Sequence, residues 1–421
     1  MMEFDYAQYF CGHGARKREL PDFEAVLRLL GNPERSFRAV HVAGTNGKGS
    51  TSAYIASILT ASGFQTGLYT SPALSVCNER IRINGEPVTE DMIERESRRV
   101  AAAEEEAGVS LTGFDRMTAT AFCIYEACGV DYAVLEAGLG GRKDSTNVVN
   151  ARVAVLTAIS LDHTAVLGST YEEIAAEKCG VIKEGQTVIS HPQRPEVMEI
   201  IEDTCARKHA RLIRVENCQI EQRSFSPMGQ WFCVTTPDER RYKLFTSMLG
   251  SHQMANAAAA LLAAQALRLN ARAIEQGIER THWPARMEYF DWDPDILLDG
   301  AHNPHAAKAL VAGLDQFFPN RFIILITAIM KDKDAEGILR AFCRRANYVI
   351  ATSVNERSRA PEELVAIAER IGGVETHMAD TYGHAYEAAL QYSVDHFELQ
   401  PLIVVAGSLY LAGAMREILI G

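Results

Sequence analysis

The amino-acid sequence predicts an α/β protein of two domains, each a mainly parallel sheet with helices on its faces. Three observations lead there. Short apolar, β-branched runs alternate with longer helical patterns along most of the 421 residues, which is the signature of right-handed βαβ units. The alternation breaks once, over residues 211–245, and then begins again. A Trp283–Pro284 pair stands between the two series and sets the expected domains at 1–284 and 285–421. Roughly 150 residues per domain makes this length enough for two or three domains with large cores.

In the first series the expected strands are 38–43, 66–70, 132–136, 153–157 and 187–190, with helices such as 50–62 and 171–181 following turns rich in Gly, Ser or Asp. From Arg211 the pattern changes to strand-like pieces at 232–236 and 242–245, punctuated by Pro227, Gly229 and Pro237. These read as a small antiparallel appendage to the first sheet. An Ala-rich helix over 252–267 follows. The second series gives strands at 295–299, 322–327, 348–352 and 402–406, with helices at 304–317, 335–345, 361–371 and 386–392. Two such domains are expected to hold a cleft between them, where ligands of α/β proteins bind. The charge run 104–106 reads as a solvated helix face.

Composition excludes several classes. With 47% hydrophobic and 23% charged residues the chain is ordinary for a globular protein, so disorder, collagen and coiled coil are set aside. Lys and Arg number 42 against 54 Asp and Glu, a net charge of -12. Such a chain lacks the cationic field that nucleic acid or an anionic membrane requires, so neither partner is expected. The nine cysteines, Cys11, Cys77, Cys123, Cys128, Cys179, Cys205, Cys218, Cys233 and Cys343, are odd in number, scattered, and form no Cys-x-x-Cys. They predict small buried hydrophobes in a reducing compartment rather than disulfides or zinc. Residues 1–14 carry no apolar secretory segment, and apolar runs such as 257–264 fall short of the roughly 20 residues a membrane span needs. The expected location is the cytoplasm.

The chemistry begins after the first strand, with Gly44-Thr45-Asn46-Gly47-Lys48-Gly49-Ser50 leading into a helix. Glycines let backbone N–H groups turn toward one anion, the helix N-terminus adds positive potential, and Lys48 reaches the β- and γ-phosphates. This is a phosphate loop, a P-loop, and nucleotide is expected on it. Its spacing departs from G-x-x-x-x-G-K-[ST]. Gly49 stands where a hydroxyl normally meets Mg²⁺, so Ser50, or a hydroxyl from elsewhere such as Ser71, must take that place. A divalent ion remains necessary, because ATP phosphates otherwise repel a nucleophile.

Glu136 ends an apolar strand beside the Gly-rich 138–141 turn, where a second-strand acid of a P-loop protein meets Mg²⁺; its alternative is to cap that turn. His163, after the next strand, can ligate a second divalent ion through a neutral imidazole nitrogen, or can be structural. Lys178 closes the following helix. By spacing alone it reads as a surface lysine, since an ammonium would be repelled by two cations unless carbamylation removed its charge.

At this point the chain resembles the folylpolyglutamate synthase/dihydrofolate synthase family of the Mur ligase superfamily. The motifs that carry the likeness are residues 41–50 (HVAGTNGKGS), 67–72 (GLYTSP), 78–85 (NERIRING), 136–147 (EAGLGGRKDSTN), 161–164 (LDHT) and 177–183 (EKCGVIK). Further along come 250–256 (GSHQMAN), 283–288 (WPARME), 299–304 (DGAHNP), 331–334 (KDKD) and 407–411 (GSLYL). They run in order over nearly the whole chain. The resemblance implies a P-loop parallel-sheet N-terminal domain and a smaller Rossmann-like α/β C-terminal domain that close over ATP, with the active site in the cleft between them. It implies metal ligands at Ser71, Glu136 and His163, and a carbamylated Lys178. It implies nucleotide contacts from residues 44–50, Asn256, Arg286 and Asp299, with His302 and Asn303 near the phosphates.

The implied activity is an ATP-dependent amide ligase. A carboxylate is a poor acyl donor because its leaving group would be oxide. ATP converts it to an acyl phosphate, the amine of L-glutamate attacks, and phosphate leaves. Lys48, Arg286 and Mg²⁺, two ions by the resemblance, spread the charge, with Lys178 and His302 also in the catalytic set. Domain closure excludes water from the acyl phosphate. The expected acids are folate, dihydropteroate or both, and the expected state is a monomer. Ala73, Lys143 and Ser145 depart from the family pattern near the loops that border the pterin pocket. Phe114 and Met117 are read either as pterin contacts or as core. Three other readings stand beside this one. A cell-wall Mur ligase acting on a uridine-nucleotide precursor has against it that only 43 residues precede Gly44. A non-catalytic nucleotide-binding regulator would be free to lose metal ligands that are kept here. A relative acting on a non-folate acid is kept alive by the three departures.

Overall fold

The structure, a computed structural model, describes residues 5–10 and 20–420. Cys11 and most of the N-terminal 1–14 segment lie outside the described residues. The first sheet contains β1 (Arg38–Ala43), β2 (Thr66–Tyr69), β3 (Ile81–Ile83), β4 (Glu86–Pro87), β5 (Tyr132–Glu136), β6 (Val153–Leu156), β7 (Thr187–Ser190) and β8 (Arg211–Arg214), in the order β4-β3-β2-β5-β1-β6-β7-β8. The six strands from β2 to β8 through β1 are mutually parallel, and β3 and β4 add an antiparallel edge. β1, β5 and β6 are apolar runs buried nearly throughout, as central strands covered on both faces must be. One face packs Tyr69, Phe122, Tyr125 and Leu135. The other packs Leu156, Ile174, Val188 and Ile201.

A separate three-stranded sheet follows, β9 (Gln219–Ser226), β10 (Gly229–Thr235) and β11 (Arg241–Thr246), in the order β11-β10-β9. This corrects the expected appendage. Residues 211–214 are the edge strand of the first sheet, paired with β7, because Leu212 packs into the core that Val188 and Ile201 share. The pieces beyond it form a sheet of their own. The charge run is exposed at Glu105 and Glu106 as expected, but not at Glu104. Glu104 is buried, accepting two hydrogen bonds from Arg116 (2.8 and 2.9 Å) and one from the Tyr9 hydroxyl (2.7 Å).

The last sheet holds β12 (Glu288–Phe290), β13 (Asp295–Leu298), β14 (Phe322–Thr327), β15 (Tyr348–Ala351), β16 (Glu375–Met378) and β17 (Pro401–Ala406), in the order β12-β13-β17-β14-β15-β16. Only the β12–β13 pair is antiparallel. Alternate residues face opposite cores. Ile323 and Leu325 join Leu310 and Ile338, while Ile324 and Ile326 join Leu411 and Met415. The chain forms two compact units, one comprising residues through Glu221 with Phe232–Phe245 and Ala255–Thr281, the other Gln222–Trp231, Thr246–Met254 and the chain from His282. Among the described residues no helix is long and apolar enough to cross a membrane, and the eight cysteines are free thiols.

Candidate active site

In the first unit, β1 lies between β5 and β6, so three segments far apart in sequence end side by side at one sheet edge. The 44–47 loop leaves β1 there and enters the helix Lys48–Ala61. Gly44 and Gly47 have φ of +150 and +88, a region that side chains disfavour. A Cβ at Gly47 would come within 2.6 Å of Asn256 Oδ1, which accepts from Thr51 Oγ1 at 3.3 Å. Asn256 therefore packs against the loop. The helix Ala271–Arg280 braces the loop helix from behind, with Ser57 Oγ donating to Gly277 O at 2.7 Å.

The structure narrows the expected cradle. The Thr45 and Asn46 amides donate to Ala158 O at 2.9 and 3.1 Å. Thr45 Oγ1 donates to Ser160 O (3.0 Å) and accepts from Ser160 N (3.1 Å), and Asn46 Nδ2 donates to Ser160 Oγ (3.2 Å). The front of the loop is thus fastened to the segment after β6, and the amides left to face an anion begin at Gly47, in the first turn of the helix. Ser160 was not read from the sequence, because only the β1–β6 pairing brings it to the loop.

Lys48 Nζ donates to Thr45 O at 3.2 Å and stands 3.9 Å from Glu136 Oε1. Glu136 is buried, and its Oε2 accepts from the Ser71 amide at 3.2 Å. The structure thus brings Lys48, Glu136 and Ser71 together. Ser50 lies buried in the first turn of the helix. His163 is exposed, in left-handed backbone (φ +50), three residues beyond Ser160. Lys178 overturns its spacing-based reading as a surface residue. It is 5% exposed, and its Nζ donates to Gly44 O at 2.6 Å. Burial, with Lys48 nearby, pulls its pKa down to about 7. Among the described residues no three His, Cys, Asp or Glu side chains converge. The expected Mg²⁺ set would join one Glu and one His to a hydroxyl and a lysine. The buried carboxylate beside Ser71 suits a hard cation. A lysine amine does not, whereas a carbamate supplies oxygens and keeps an N–H for Gly44 O.

In the second unit, Asp299 follows β13, buried, its two oxygens accepting from Met287 N (2.9 Å) and Ala301 N (2.8 Å). Burial raises its pKa, offset in part by the Arg286 charge and these amides. Asp299 therefore pins the turn that carries Arg286, a role the sequence did not disclose. Arg286 Nη1 donates to Ala285 O at 2.8 Å, and His302 Nδ1 pairs with Gly300 O at 2.9 Å. Asn303 caps the helix Pro304–Phe317 through Ala306 N (2.9 Å).

Family models fit both halves, the Mur ligase middle domain over residues 42–264 and the Mur ligase glutamate ligase domain over 285–409. The folylpolyglutamate synthase of Lacticaseibacillus casei is 34% identical over 94% of this chain and 93% of its own. The chain belongs to the folylpolyglutamate synthase/dihydrofolate synthase family of Mur ligases. The Bacillus subtilis dihydrofolate synthase/folylpolyglutamate synthase is 36% identical, over 77% of this chain and 78% of its own. Mycobacterium tuberculosis folylpolyglutamate synthase complexed with ADP superposes with a TM-score of 0.93 at 31% identity, covering 99% of this chain and 97% of that one. E. coli FolC in complex with DHPP and ADP gives 0.89 at 27%, covering 99% and 98%. Like its family, the chain is an ATP-dependent, amide-forming ligase.

In this member of the family the departures from the family pattern have distinct settings. Ser145 Oγ donates to Asp115 in a short hydrogen bond, Lys143 is exposed, and Ala73 is half-buried. Asp144 accepts from Gly138 N and Leu139 N at 3.0 Å each and from Thr146, whose hydroxyl pairs with His41 Nε2 at 2.8 Å. That chain of bonds holds the turn after Glu136. Phe114 lies where a Cβ on Gly138 would be 2.5 Å from its ring. Met117 is fully buried core.

Proposed function

We propose that this chain joins the amino group of L-glutamate to the carboxylate of a folate, of dihydropteroate, or of both, through an acyl phosphate made from ATP. The observation that carries the reading is the phosphate loop with Lys48, Glu136 and Ser71 gathered at its edge, in a chain whose relatives carry those two enzyme names over nearly their full length. The first-turn amides from Gly47 and the Lys48 ammonium hold the β- and γ-phosphates and spread the charge that grows on the transferring group. In this reading Asn256, Arg286, Asp299, His302 and Asn303 are the further nucleotide contacts. Arg286 is read as stabilising charge on the transferring γ-phosphoryl group, and the acyl phosphate must be shielded from water until the glutamate amine attacks. Ser71, Glu136, His163 and a carbamylated Lys178 would hold Mg²⁺, with Ser50 the other candidate hydroxyl. The ion, two per site in this reading, neutralises phosphate charge when bound. A monomer working in the cytoplasm completes the proposal, in keeping with free cysteines among the described residues.

The test is phosphate release from the purified protein with ATP, Mg²⁺ and L-glutamate, with dihydropteroate and tetrahydrofolate supplied separately. Release with matching amide products by mass is expected, and Glu136→Ala should abolish it. ATP binding without release for either acid would point instead to a non-folate acid, the reading that Ala73, Lys143 and Ser145 keep alive. An active Glu136→Ala enzyme would remove the metal assignment.

A further inference from the structure

β1 lies inside its sheet, and Val40, Val42 and Ala43 are fully buried apolar residues, yet His41 stands among them with no exposed surface. An imidazole at such a position costs stability that an aliphatic side chain would not. Burial keeps it neutral, its pKa lowered to about 3, so it carries a single N–H. Its partner shows which nitrogen holds that proton. The Thr146 hydroxyl donates to Asp144 Oδ1, since a carboxylate only accepts. Thr146 Oγ1 can then only accept from His41 Nε2, 2.8 Å away.

This bond begins a chain that ends at the turn after Glu136. Asp144 Oδ1 takes the Thr146 hydroxyl and amide, and Oδ2 accepts from Gly138 N and Leu139 N at 3.0 Å each. The turn lies between two of the side chains assigned to the cation. It starts two residues past Glu136. At its far end Arg142 N donates to Glu177 O at 2.9 Å, and a Cβ on Gly141 would come within 2.8 Å of Lys178 O. The shape of the 138–142 segment therefore sets the spacing between Glu136 and Lys178.

We propose that His41 is a positioning residue for the divalent-cation site: by holding Thr146, and through it Asp144, it fixes the 138–142 turn and hence the separation of Glu136 from Lys178. Its buried ring reaches no ligand itself. The inference rests on the reading in which those two side chains hold Mg²⁺.

The test is a Mn²⁺ titration of the full chain with one equivalent of AMPPCP, read by electron paramagnetic resonance of the free ion against a nucleotide-only blank. His41→Leu and Thr146→Val should each weaken Mn²⁺ about tenfold or more. The double variant should bind no more weakly than the poorer single, because one chain of bonds is broken only once. His41→Gln, whose amide nitrogen can donate to Thr146, should recover most of the loss. Val40→Ala opens a cavity in the same strand outside the chain of bonds. It should lower the melting temperature yet keep wild-type Mn²⁺ affinity, which separates positioning from mere loss of stability. Thr146→Val nearly conserves volume, so its result stands if His41→Leu does not fold. With Mn²⁺ binding weakened in Glu136→Ala, three results would overturn the proposal alone: wild-type affinity in folded Thr146→Val or His41→Leu, an equal loss in Val40→Ala, or no better binding in His41→Gln than in His41→Leu. No Mn²⁺ binding beyond the blank, or unchanged binding in Glu136→Ala, would remove the metal reading and this inference with it.

Discussion

Replacing Gly44 by alanine probes the geometry on which the phosphate loop depends. Gly44 sits at φ +150, and a Cβ there would overlap Thr157 Oγ1, with Thr157 Cβ at 3.0 Å and its backbone carbon at 3.1 Å. Rotating the hydroxyl away leaves the other two contacts, so the end of β6 must move. The backbone conformation costs about 1–3 kcal/mol for a residue with a side chain. Forcing a methyl into a packed site adds about 1–3 kcal/mol. Together they give about 4 kcal/mol at mid-range, or roughly 8–16 °C in the thermal midpoint of a unit this size. Gly63→Ala is the control. It has a φ of +87 but nothing within 4 Å of the new Cβ, so it carries only the conformational cost, about 1–2 kcal/mol. In a Thr157→Gly background, which removes both the hydroxyl and Cβ, the Gly44 substitution should regain about 1–2 kcal/mol in a double-mutant cycle. The assay is thermal unfolding with AMPPCP affinity as a second readout, since Gly44 O also accepts from Lys178. Equal losses for Gly44→Ala and Gly63→Ala, or no relief from Thr157→Gly, would refute the argument.

Other perturbations reach different parts of the molecule. Lys178→Ala should abolish turnover and recover it in part with added short-chain carboxylates, which substitute for the carbamate oxygens; full activity without them would end the carbamate reading. Burial lowers the His41 pKa from 6.5 to about 3, so between those values the unfolded chain takes up a proton that the folded chain refuses. Stability is therefore complete above pH 6.5 and falls as pH drops below it, a slope that urea melts at pH 7, 5.5 and 4.5 would reveal and that His41→Asn should flatten. Asp299→Asn keeps one acceptor for two amides and sets an NH₂ against the other, costing about 1–3 kcal/mol and loosening the Arg286 turn. We expect a raised KM for ATP in steady-state kinetics together with a lower melting temperature, and wild-type values for both would remove that role.

How much the sequence disclosed follows from how local each signal is. The loop, Glu136 and the central strands were legible because their residue types serve the backbone or the chemistry within a few positions: glycines before a helix, an acid ending an apolar strand. The fastening of Thr45 and Asn46 to Ala158 and Ser160 was not, since it exists only after β6 pairs with β1. Lys178 read as exposed because a helix C-terminus favours lysine anyway, and nothing local announced that Gly44 O would cover it. Glu104 read as solvated for the same reason, its partners Tyr9 and Arg116 lying 95 and 12 residues away. β16 escaped notice because Glu375–Met378 is largely polar and mostly exposed, without a buried face to alternate.

The contact of Asn256 with the phosphate loop also bears on synthesis. Residues 44–51 are made early, yet the side chain that packs against Gly47 is added some 200 residues later, as the sequence separation of 205 between Thr51 and Asn256 records. At about 5–20 residues per second, that interval is about 10–40 s. Throughout it the growing chain carries a complete phosphate-loop motif without a complete phosphate loop. Nucleotide protection that draws on Asn256 is therefore deferred, and a nascent chain stalled short of Asn256 should gain less protease protection from ATP than one stalled well beyond it.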